Sequence, residues 1–381
     1  MPQRPIRVLF VFGTRPEAIK LCPLVKRLEQ TPATFQVSVC VTAQHRSMLD
    51  QVLSAFQVEP HHDLNIMLPD QTLAQLTSRA MAALEPVVEQ ERPDLIVVQG
   101  DTTTAFCAAL AGFYARVRVA HVEAGLRTGD KDQPYPEEIN RVLTTRVSDL
   151  HFAATEEAAG NLRAEGVPPA SIFVTGNTVI DAVLYIRDRL ESGQLPHTPW
   201  PLLDARRKLI LVTAHRRESF GEGFERICDA LATLAQRPDV QIVYPVHCNP
   251  NVQEPVGRRL AGRANIHLLE PLGYVPFVDL MMRSHLILTD SGGVQEEAPS
   301  LGKPVLVMRE KTERPEAVRA GTVRLVGTDV DKILREANRL LDDPEHYRQM
   351  CRRHNPYGDG HACERIAEIL KAVTVKPVAR G

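Results

Sequence analysis

The sequence predicts an α/β protein built from two doubly wound parallel sheets. The chain has 381 residues, and at about 150 residues a domain this length fits two domains or three. Short β-branched runs recur along it, separated by longer amphipathic stretches, which is the pattern of βαβ units. Polar clusters stand directly after many of these runs, where open parallel sheets bind ligands.

Two sets of predicted strands are separated by a proline-rich segment. The first set covers residues 6–12, 35–41, 95–98 and 117–122, and the second covers 209–213, 242–246, 286–289 and 305–307. Pro196, Pro199, Pro201 and Trp200 lie between the sets, which suits a surface linker or insertion. Residues 172–175 already look like a strand of the second set. We therefore place the boundary near Ala170 and expect a first domain over residues 1–170.

Charge and composition exclude several classes of protein. Lys and Arg total 45 and Asp and Glu total 47, so the formal charge is −2, without the basic excess typical of nucleic-acid binding. The first apolar run ends at Gly13, too short for a signal peptide, and no stretch approaches the roughly 20 apolar residues of a membrane span. The seven cysteines include no CxxC pair. We expect a cytoplasmic protein with no nucleic-acid or membrane partner.

The polar clusters favour a single ligand-binding cleft. They follow seven predicted strands and read GTRPEAIK, TAQHR, QGDTTTA, HVEAGLRTG, TAHRRESFG, PVHCNP and TDSGGVQEEAPSLGKP. Any one of them is equally well explained by turn and helix-cap residues. Seven together favour residues that line one cleft at the carboxyl ends of the strands.

Common cofactor patterns are not matched. Gly221 with Gly223, and Gly358 with Gly360, lack the third glycine of a dinucleotide fingerprint. The SLGKP motif has proline after its lysine, which breaks the phosphate-loop pattern. The neighbouring side chains of residues 61–63 (HHD) would point to opposite faces of a strand, so we interpret them as solvated rather than as metal ligands. No metal or nicotinamide cofactor is expected.

The TDSGGVQEEA motif points to a phosphate. Gly292 and Gly293 stand just before a predicted helix, so backbone amides from Ser291 onward can meet an anion without an intervening side chain. Cations that could reach the same anion are Arg15, Lys20 and His215. Each alone is also explained as a solvated surface group. Together they favour a diphosphate held between two domains.

Carboxylates gather in three other motifs. Asp101 and Glu123 each follow a predicted strand, and YPEEINR contains Glu137 and Glu138. Carboxylates beside a diphosphate would repel it, so we expect them to face a neutral part of a substrate where protons move. For Glu137 an alternative stays open, since Arg141 lies four residues on and the two could form a simple helical ion pair.

The ordered motifs resemble those of one family, the non-hydrolysing bacterial UDP-N-acetylglucosamine 2-epimerases. The matching motifs are GTRPEAIK, QHRxMLDQV, GDTTT, HVEAGLRT, PYPEEINR, GNTVIDA, TAHRRE, LTDSGGVQEEAPSLGKPVLVMR and TERPEA, and they extend from about Arg7 to NPYGDGHACERI. The resemblance implies the GT-B fold, in which two Rossmann-like domains face a cleft. It also implies a UDP-binding domain over 171–358, a C-terminal helix over 359–381 that crosses back to the first domain, and a homodimer.

The resemblance further implies the residues that hold the UDP-sugar. Ser291, Gly292, Gly293 and Glu297 would bind the phosphates and ribose, and Phe277 would lie near the uracil. The cationic residues around the leaving group would be Arg15, Lys20, His215 and Arg314. Leu272 departs from relatives that have Gln near the uracil, so base recognition there would depend on backbone groups.

The reaction that the resemblance implies is reversible 2-epimerisation. Elimination of UDP gives C1 oxocarbenium character and makes the C2 hydrogen acidic, so a carboxylate can remove it to leave a glycal. Re-protonation from the other face and re-addition of UDP give UDP-N-acetylmannosamine. The matching acid/base residues are Asp101, Glu123 and Glu137, supported by Arg141 and His215. No metal or redox cofactor is required.

Three other functions stay open at this point. A hydrolysing epimerase would use the same residues and release UDP with free N-acetylmannosamine, whereas a GT-B glycosyltransferase would pass the sugar to an acceptor. A non-catalytic nucleotide-sugar sensor is disfavoured because pure binding does not require three carboxylates near a diphosphate.

The QHR segment is a candidate regulatory site. Some relatives use it to bind a second UDP-N-acetylglucosamine, and Gln44, His45 and Arg46 are present here. Ser47 and Asp70 stand where such relatives have Gln and Arg. The resemblance therefore implies weaker activation by UDP-N-acetylglucosamine.

Overall fold

A computed structural model describes residues 4–42, 46–351 and 354–374 of the chain. It divides into two compact units. Of the described residues, those up to Ala182 and those from Tyr357 onward form the first unit, and those in Val183–Pro356 form the second. Within the described ranges no helix is long and apolar enough to cross a membrane.

The first unit is built on a parallel sheet, which has seven strands within the described residues. In chain order they are β1 (Ile6–Phe12), β2 (Phe35–Val41), β3 (His62–Asp63), β4 (Leu95–Gln99), β5 (Arg118–Ala124), β6 (Leu150–Ala153) and β7 (Ile172–Val174). The order across the sheet is β3-β2-β1-β4-β5-β6-β7. Apart from Arg7 and Gln99, the central strands β1 and β4 are apolar, because helices cover both faces of the sheet.

Helices alternate with these strands. They are α1 (Arg15–Glu29), α2 (Arg46–Phe56), α3 (Leu73–Glu91), α4 (Thr103–Tyr114), α5 (Glu137–Val147) and α6 (Glu156–Ala164). A further helix, α7 (Thr178–Glu191), begins in the first unit and ends in the second. Thr14 caps α1 and Thr102 caps α4, each by accepting a backbone N–H three residues on. These caps fix where the helices after β1 and β4 begin.

The second unit repeats the plan with a six-stranded parallel sheet in its described residues. Its strands are β8 (Lys208–Thr213), β9 (Val240–Pro245), β10 (Ile266–Leu269), β11 (Leu286–Thr289), β12 (Val305–Val307) and β13 (Val323–Leu325). Its helices are α8 (Glu222–Leu234), α9 (Pro250–Leu260), α10 (Tyr274–Arg283), α11 (Gly292–Ser300), α12 (Pro315–Ala320), α13 (Val330–Asp342) and α14 (Pro344–Cys351). The order is β10-β9-β8-β11-β12-β13. The predicted fold class, two Rossmann-like units of the GT-B type, is confirmed.

Both sheets reverse their strand order at one point. The reversal lies between β1 and β4 in the first sheet and between β8 and β11 in the second. Loops that leave neighbouring strands in opposite directions open a crevice at such a point, where ligands of this fold class bind. The loops after these four strands are therefore the first place to look for a site in each unit.

The first unit ends later than the sequence suggests. Residues 172–175 were expected to open the second domain, but β7 pairs with β6, with Phe152 opposite Phe173, and so is the edge strand of the first sheet. The proline-rich segment is also more than a linker. Its Trp200 donates from Nε1 to the buried Asp279 of α10 at 2.9 Å. Contacts between residues far apart in the sequence decide both the sheet to which β7 belongs and the packing of the proline-rich segment.

A last helix, α15 (Ala362–Thr374), belongs to the first unit. It packs against α1. The carboxylate of Asp181 accepts from the backbone N–H groups of Ala362 at 3.2 Å and Cys363 at 2.8 Å, so it satisfies donors at the start of the helix. Burial raises the pKa of Asp181, although these bonds lower it.

A bulge at the end of β5 shapes the edge of the first sheet. The register between β5 and β6 shifts between Val122 and Ala124, so Glu123 is the extra residue. Glu123 has φ 63°, and Gly125 follows with φ 88°. A Cβ on Gly125 would lie 2.2 Å from the carbonyl oxygen of Ala158. Only glycine fits there.

Substitution of Gly125 tests this tight approach. We expect Gly125→Ala to lower the free energy of unfolding by roughly 2–5 kcal/mol, because the cost of a positive φ and the cost of the clash with the backbone of Ala158 add up. Gly129→Ala is the matched control, since Gly129 has φ 77° with nothing within 4 Å of an added Cβ, and it should cost only about 1 kcal/mol. Urea unfolding of both variants measures the difference. Equal losses would contradict the clash.

Candidate functional site

In the first unit, the turn after β1 is built around the buried Glu17. Its Oε2 accepts from the backbone N–H groups of Gly13 at 3.0 Å and Thr14 at 2.7 Å, and its Oε1 accepts from Thr102 Oγ1 at 2.6 Å. Glu17 is 1% exposed. Burial raises its pKa, although these hydrogen bonds lower it. The carboxylate thus joins the loop after β1 to the loop after β4.

The two predicted cations of α1 differ in their surroundings. Arg15 is the first residue of the helix, and its Nη1 lies 3.7 Å from Met48 Sδ. Lys20 forms an ion pair with Glu123 Oε2, and Gln99 Nε2 donates to the same oxygen at 2.9 Å. The side chains of Lys20 and Glu123 are only 14% and 11% exposed. A largely buried lysine therefore neutralises the carboxylate at the bulge.

Asp101 and Arg141 form a second ion pair in this unit. Arg141 donates from Nε and Nη2 to Asp101 Oδ2 at 3.0 and 2.7 Å, and from Nη1 to Glu138 Oε2 at 2.8 Å. Burial lowers the pKa of Arg141, but Asp101 and Glu138 raise it, with a net rise. Asn140 Nδ2 also donates to the Asp101 carbonyl at 2.9 Å.

Among the described residues, Glu137 forms no ion pair with this arginine. The ion pairs of Arg141 are to Asp101 and Glu138, so the alternative of a simple Glu137–Arg141 helical pair is not observed. Within the described residues, Oε2 of Glu137 is buried without a hydrogen-bond partner. Glu138 instead anchors the preceding loop by accepting the N–H groups of Thr128 and Gly129, each at 3.0 Å.

A buried histidine supports the turn that contains Asp101. His121 Nε2 lies 2.7 Å from the carbonyl oxygen of Gly100, which has φ 71°. Burial lowers the pKa of His121 to about 3. The ring is therefore neutral, and since a carbonyl only accepts, Nε2 is its protonated nitrogen. His121 fixes the Gly100–Asp101 turn.

In the second unit, Asp290 joins the loops after β8 and β11. It is fully buried, and its Oδ2 accepts from the N–H groups of His215 at 2.6 Å and Arg216 at 2.7 Å. His215 stacks on His247 with ring centroids 5.4 Å apart. Burial lowers the pKa of His215, which Asp290 raises and Arg216 and His247 lower, with a net fall.

The N-terminus of α11 has the features of an anion site. Ser291 makes no side-chain cap hydrogen bond, so the first N–H groups of the helix are available. A Cβ on Gly292 would lie 3.9 Å from Nη2 of both Arg216 and Arg314, and one on Gly293 would meet nothing within 4 Å. Arg314 also pairs with the buried Glu296. Two guanidinium groups and a helix N-terminus therefore converge.

The predicted ribose and base ligands lie next to this terminus. Glu297 in α11 is 6% exposed and accepts from Tyr274 Oη at 3.0 Å. Tyr274 is the first residue of α10, and Phe277 lies about one turn further along the same helix. Leu272 precedes α10 and is half-buried. Helices α10 and α11 thus bring Phe277 and Glu297 into one neighbourhood.

The regulatory candidates fall largely outside this description. Gln44 and His45 lie outside the described residues, and Arg46 is the first residue of α2, with its side chain also outside. A regulatory role for them stays a prediction. In the part of the chain that is described, no group of three or more His, Cys, Asp or Glu side chains could hold a metal ion.

Comparison with known proteins identifies the family. The family model described as UDP-N-acetylglucosamine 2-epimerase matches residues 26–371. A UDP-N-acetylglucosamine 2-epimerase of Yersinia pestis is 59% identical over 376 residues, which cover 96% of this chain and 98% of the relative. The chain belongs to the UDP-N-acetylglucosamine 2-epimerase family. The predicted family and enzyme class, an isomerase, are confirmed.

Solved structures of this family agree. The structure of UDP-GlcNAc 2-epimerase from Neisseria meningitidis, bound to UDP-GlcNAc, has a TM-score of 0.88 at 49% identity and covers 96% of this chain and 99% of that one. The Methanocaldococcus jannaschii enzyme, in complex with UDP-GlcNAc and UDP, has a TM-score of 0.79 at 34% identity, with coverage of 96% and 100%.

Several residues of the candidate site were not predicted from the sequence. They are Glu17, His121, Arg216, Tyr274 and Asp290. Tyr274 lies between Leu272 and Phe277, and each of the others lies within a noted motif. Glu138 was expected to face the substrate, but it holds the loop at Thr128 and Gly129 instead. The signal that could have found Glu17 is the capping box Thr14-x-x-Glu17. The others depend on burial and on contacts between distant segments, which a motif does not show.

The pH dependence of stability tests His121. Its folded-state pKa is lowered from 6.5 to about 3, so below pH 6.5 the unfolded chain binds a proton that the folded chain excludes. The stability that comes from keeping the ring neutral in the fold is fully present above pH 6.5 and is lost as the pH falls toward 3. The unfolding free energy of the wild type therefore falls as the pH falls below 6.5. In His121→Gln, the slope of the unfolding free energy against pH should be smaller by up to about 1.4 kcal/mol per pH unit.

The measurement is urea unfolding at several pH values between about 7 and 5. The glutamine amide can still donate to Gly100, so a folded variant is expected. His361→Gln is the control, because that side chain is 63% exposed, and it should keep the wild-type slope. An unchanged slope in His121→Gln would contradict the buried neutral ring.

Proposed function

We propose that the chain catalyses reversible 2-epimerisation of UDP-N-acetylglucosamine to UDP-N-acetylmannosamine. The observation that supports this most directly is a division of charge. Asp101, Glu123 and Glu137 lie at strand ends and a helix start of the first unit, whereas Arg216 and Arg314 meet the α11 N-terminus in the second. Proton transfer and diphosphate binding thus have separate sets of residues.

The second unit would hold UDP. The backbone N–H groups of Gly292 and Gly293 and the guanidinium of Arg314 suit the diphosphate, which is doubly charged and rich in acceptor oxygens. The N–H of Ser291 already donates to Thr289 Oγ1 at 2.9 Å. Glu297 suits the ribose because a carboxylate accepts from two hydroxyls, and Tyr274 holds it in place. Phe277 offers an aromatic ring to the uracil. His215 completes the cations that this unit would offer to the leaving group. For Arg15 and Lys20, which lie in the first unit, the role beside the leaving group stays a prediction from the resemblance.

The first unit would move the protons. As the anomeric bond to UDP lengthens, C1 gains positive charge and the C2 hydrogen becomes acidic, so one carboxylate removes it and the C1–C2 double bond of the glycal forms. Epimerisation needs a second acid on the opposite face. Asp101 with Arg141, Glu123 with Lys20, and Glu137 with its unpaired oxygen are the candidates. The reaction is redox-neutral and needs no hydride carrier.

Proton NMR in deuterated water tests this function. We expect incubation with UDP-N-acetylglucosamine to give both epimers at a fixed ratio approached from either side, each deuterated at C2, with only traces of free UDP. Stoichiometric UDP with free N-acetylmannosamine would assign the hydrolysing reaction instead. Retention of the original hydrogen at C2 would exclude a solvent-exchanging elimination.

Carboxylate variants test the division of roles. Asp101→Asn, Glu123→Gln and Glu137→Gln keep side-chain shape but remove the base, so turnover should fall at least about a hundredfold while UDP affinity changes little. Glu297→Ala should instead weaken UDP binding. Glu156→Gln is the control, because Glu156 is 75% exposed on α6, and it should match the wild type. Normal turnover of Glu137→Gln would remove that residue from the mechanism.

A homodimer and a cytoplasmic location remain predictions. The outer face of α5 supports the first, since Ile139 and Leu143 are 39% and 40% exposed, and Phe113 at the end of α4 is 57% exposed. Exposed apolar side chains on adjacent helices are typical of a surface that a second copy covers. Analytical ultracentrifugation decides the oligomeric state.

A further inference from the structure

Asp290 is fully buried, yet among the described residues one of its oxygens receives no hydrogen bond. Oδ2 accepts the backbone N–H groups of His215 and Arg216, at 2.6 and 2.7 Å. Oδ1 has no hydrogen-bond partner within the described residues and lies 3.4 Å from His215 Nδ1. A buried acceptor without a donor lowers stability. We therefore consider Nδ1 of His215 as the donor that Oδ1 of Asp290 would accept from.

The imidazole of His215 is held on several sides. Asp290 faces Nδ1, the His247 ring is stacked on its face at an interplanar angle of 14°, and the charge of Arg216 lies close enough to oppose its protonation. The side chain of His215 is 37% exposed, whereas Asp290 is 0% exposed. The ring edge that faces Asp290 is therefore the inner one.

We propose that Asp290 is a positioning residue that holds His215 in the form protonated at Nδ1, which presents Nε2 to the substrate. A carboxylate only accepts hydrogen bonds, so a lone pair on Nδ1 would face it repulsively, whereas an N–H satisfies Oδ1. A small rotation of the ring turns the 3.4 Å contact into a hydrogen bond. The carboxylate also stabilises the imidazolium, whose Nε2–H can donate to a phosphate oxygen.

The role of Nε2 rests on the proposed function, but the position of the proton does not. If Asp290 served only its two backbone hydrogen bonds, asparagine would replace it without effect, because the amide oxygen can accept both. The amide NH₂ would then face Nδ1 and donate to it, so the neutral ring would carry its proton on Nε2. An aspartate and an asparagine at this position therefore predict different protonated nitrogens of His215.

Nitrogen-15 NMR of the ligand-free protein tests the proton position. The ring signals of His215 are assigned by their loss in His215→Gln. We expect the Nδ1–H form in the wild type and the Nε2–H form in Asp290→Asn. Asp279→Asn is the matched control, since Asp279 is a buried aspartate of the same unit that contacts His197 Nδ1 at 2.8 Å, and it should leave His215 unchanged. An Nε2–H ring in the wild type overturns the proposal, and this result needs no variant to fold.

Kinetics test whether the position matters. We expect kcat of Asp290→Asn to fall at least about tenfold, with a smaller change in KM, and the acid limb of its pH profile to shift. The double variant with His215→Gln should be no slower than His215→Gln alone, because Asp290 acts through His215. A double variant that is slower than both single variants, or an unchanged kcat, overturns the proposal. A wild type without epimerase activity would refute the proposed function, while the NMR result still decides the role of Asp290.

Discussion

A buried carboxylate joins two strand-end loops in each unit, and the candidate residues depend on these joints. Glu17 links the turn after β1 to Thr102 after β4, and Asp290 links the end of β11 to the loop after β8. These strand pairs flank the points where strand order reverses, so the loops diverge and lose main-chain pairing. Removal of either carboxylate would leave the backbone N–H groups that it accepts from without a partner, at a cost of about 1–3 kcal/mol per group.

Two of the three carboxylates proposed for proton transfer are held by cations of their own unit. Lys20 pairs with Glu123, and Arg141 pairs with Asp101, so each carboxylate keeps a defined orientation. Removing one partner of such a pair would leave a poorly solvated charge, which costs more than the pair itself contributes. Glu123 is also placed by the β5 bulge at φ 63°, a backbone strain that surrounding contacts must maintain. Orientation and local strain are both typical of reacting groups.

The sequence alone determined the fold class and the family. Hydrophobic periodicity is a local property, and strands such as β1 and β8 are long enough, with seven and six residues, to show it. The ordered motifs identified the family because they depend only on residue type and spacing. They also singled out Asp101, Glu123 and Glu137 as acid/base candidates, and Ser291 with two glycines as an anion site.

Tertiary structure alone decided the pairings. Strands β3, β6, β10 and β13 were not predicted, because they have four residues or fewer and no run of β-branched residues; they are recognised by their pairing with neighbouring strands. Strand β7 was predicted, but only its pairing with β6 places it in the first sheet. From its position in the helix, Arg141 could pair with either Glu137 or Glu138. In the structure it pairs with Glu138 and with Asp101, which lies forty residues earlier in the chain. Asp290 and Arg216 stand beside predicted residues, but their contacts follow from burial and from the meeting of distant loops, which no local pattern encodes.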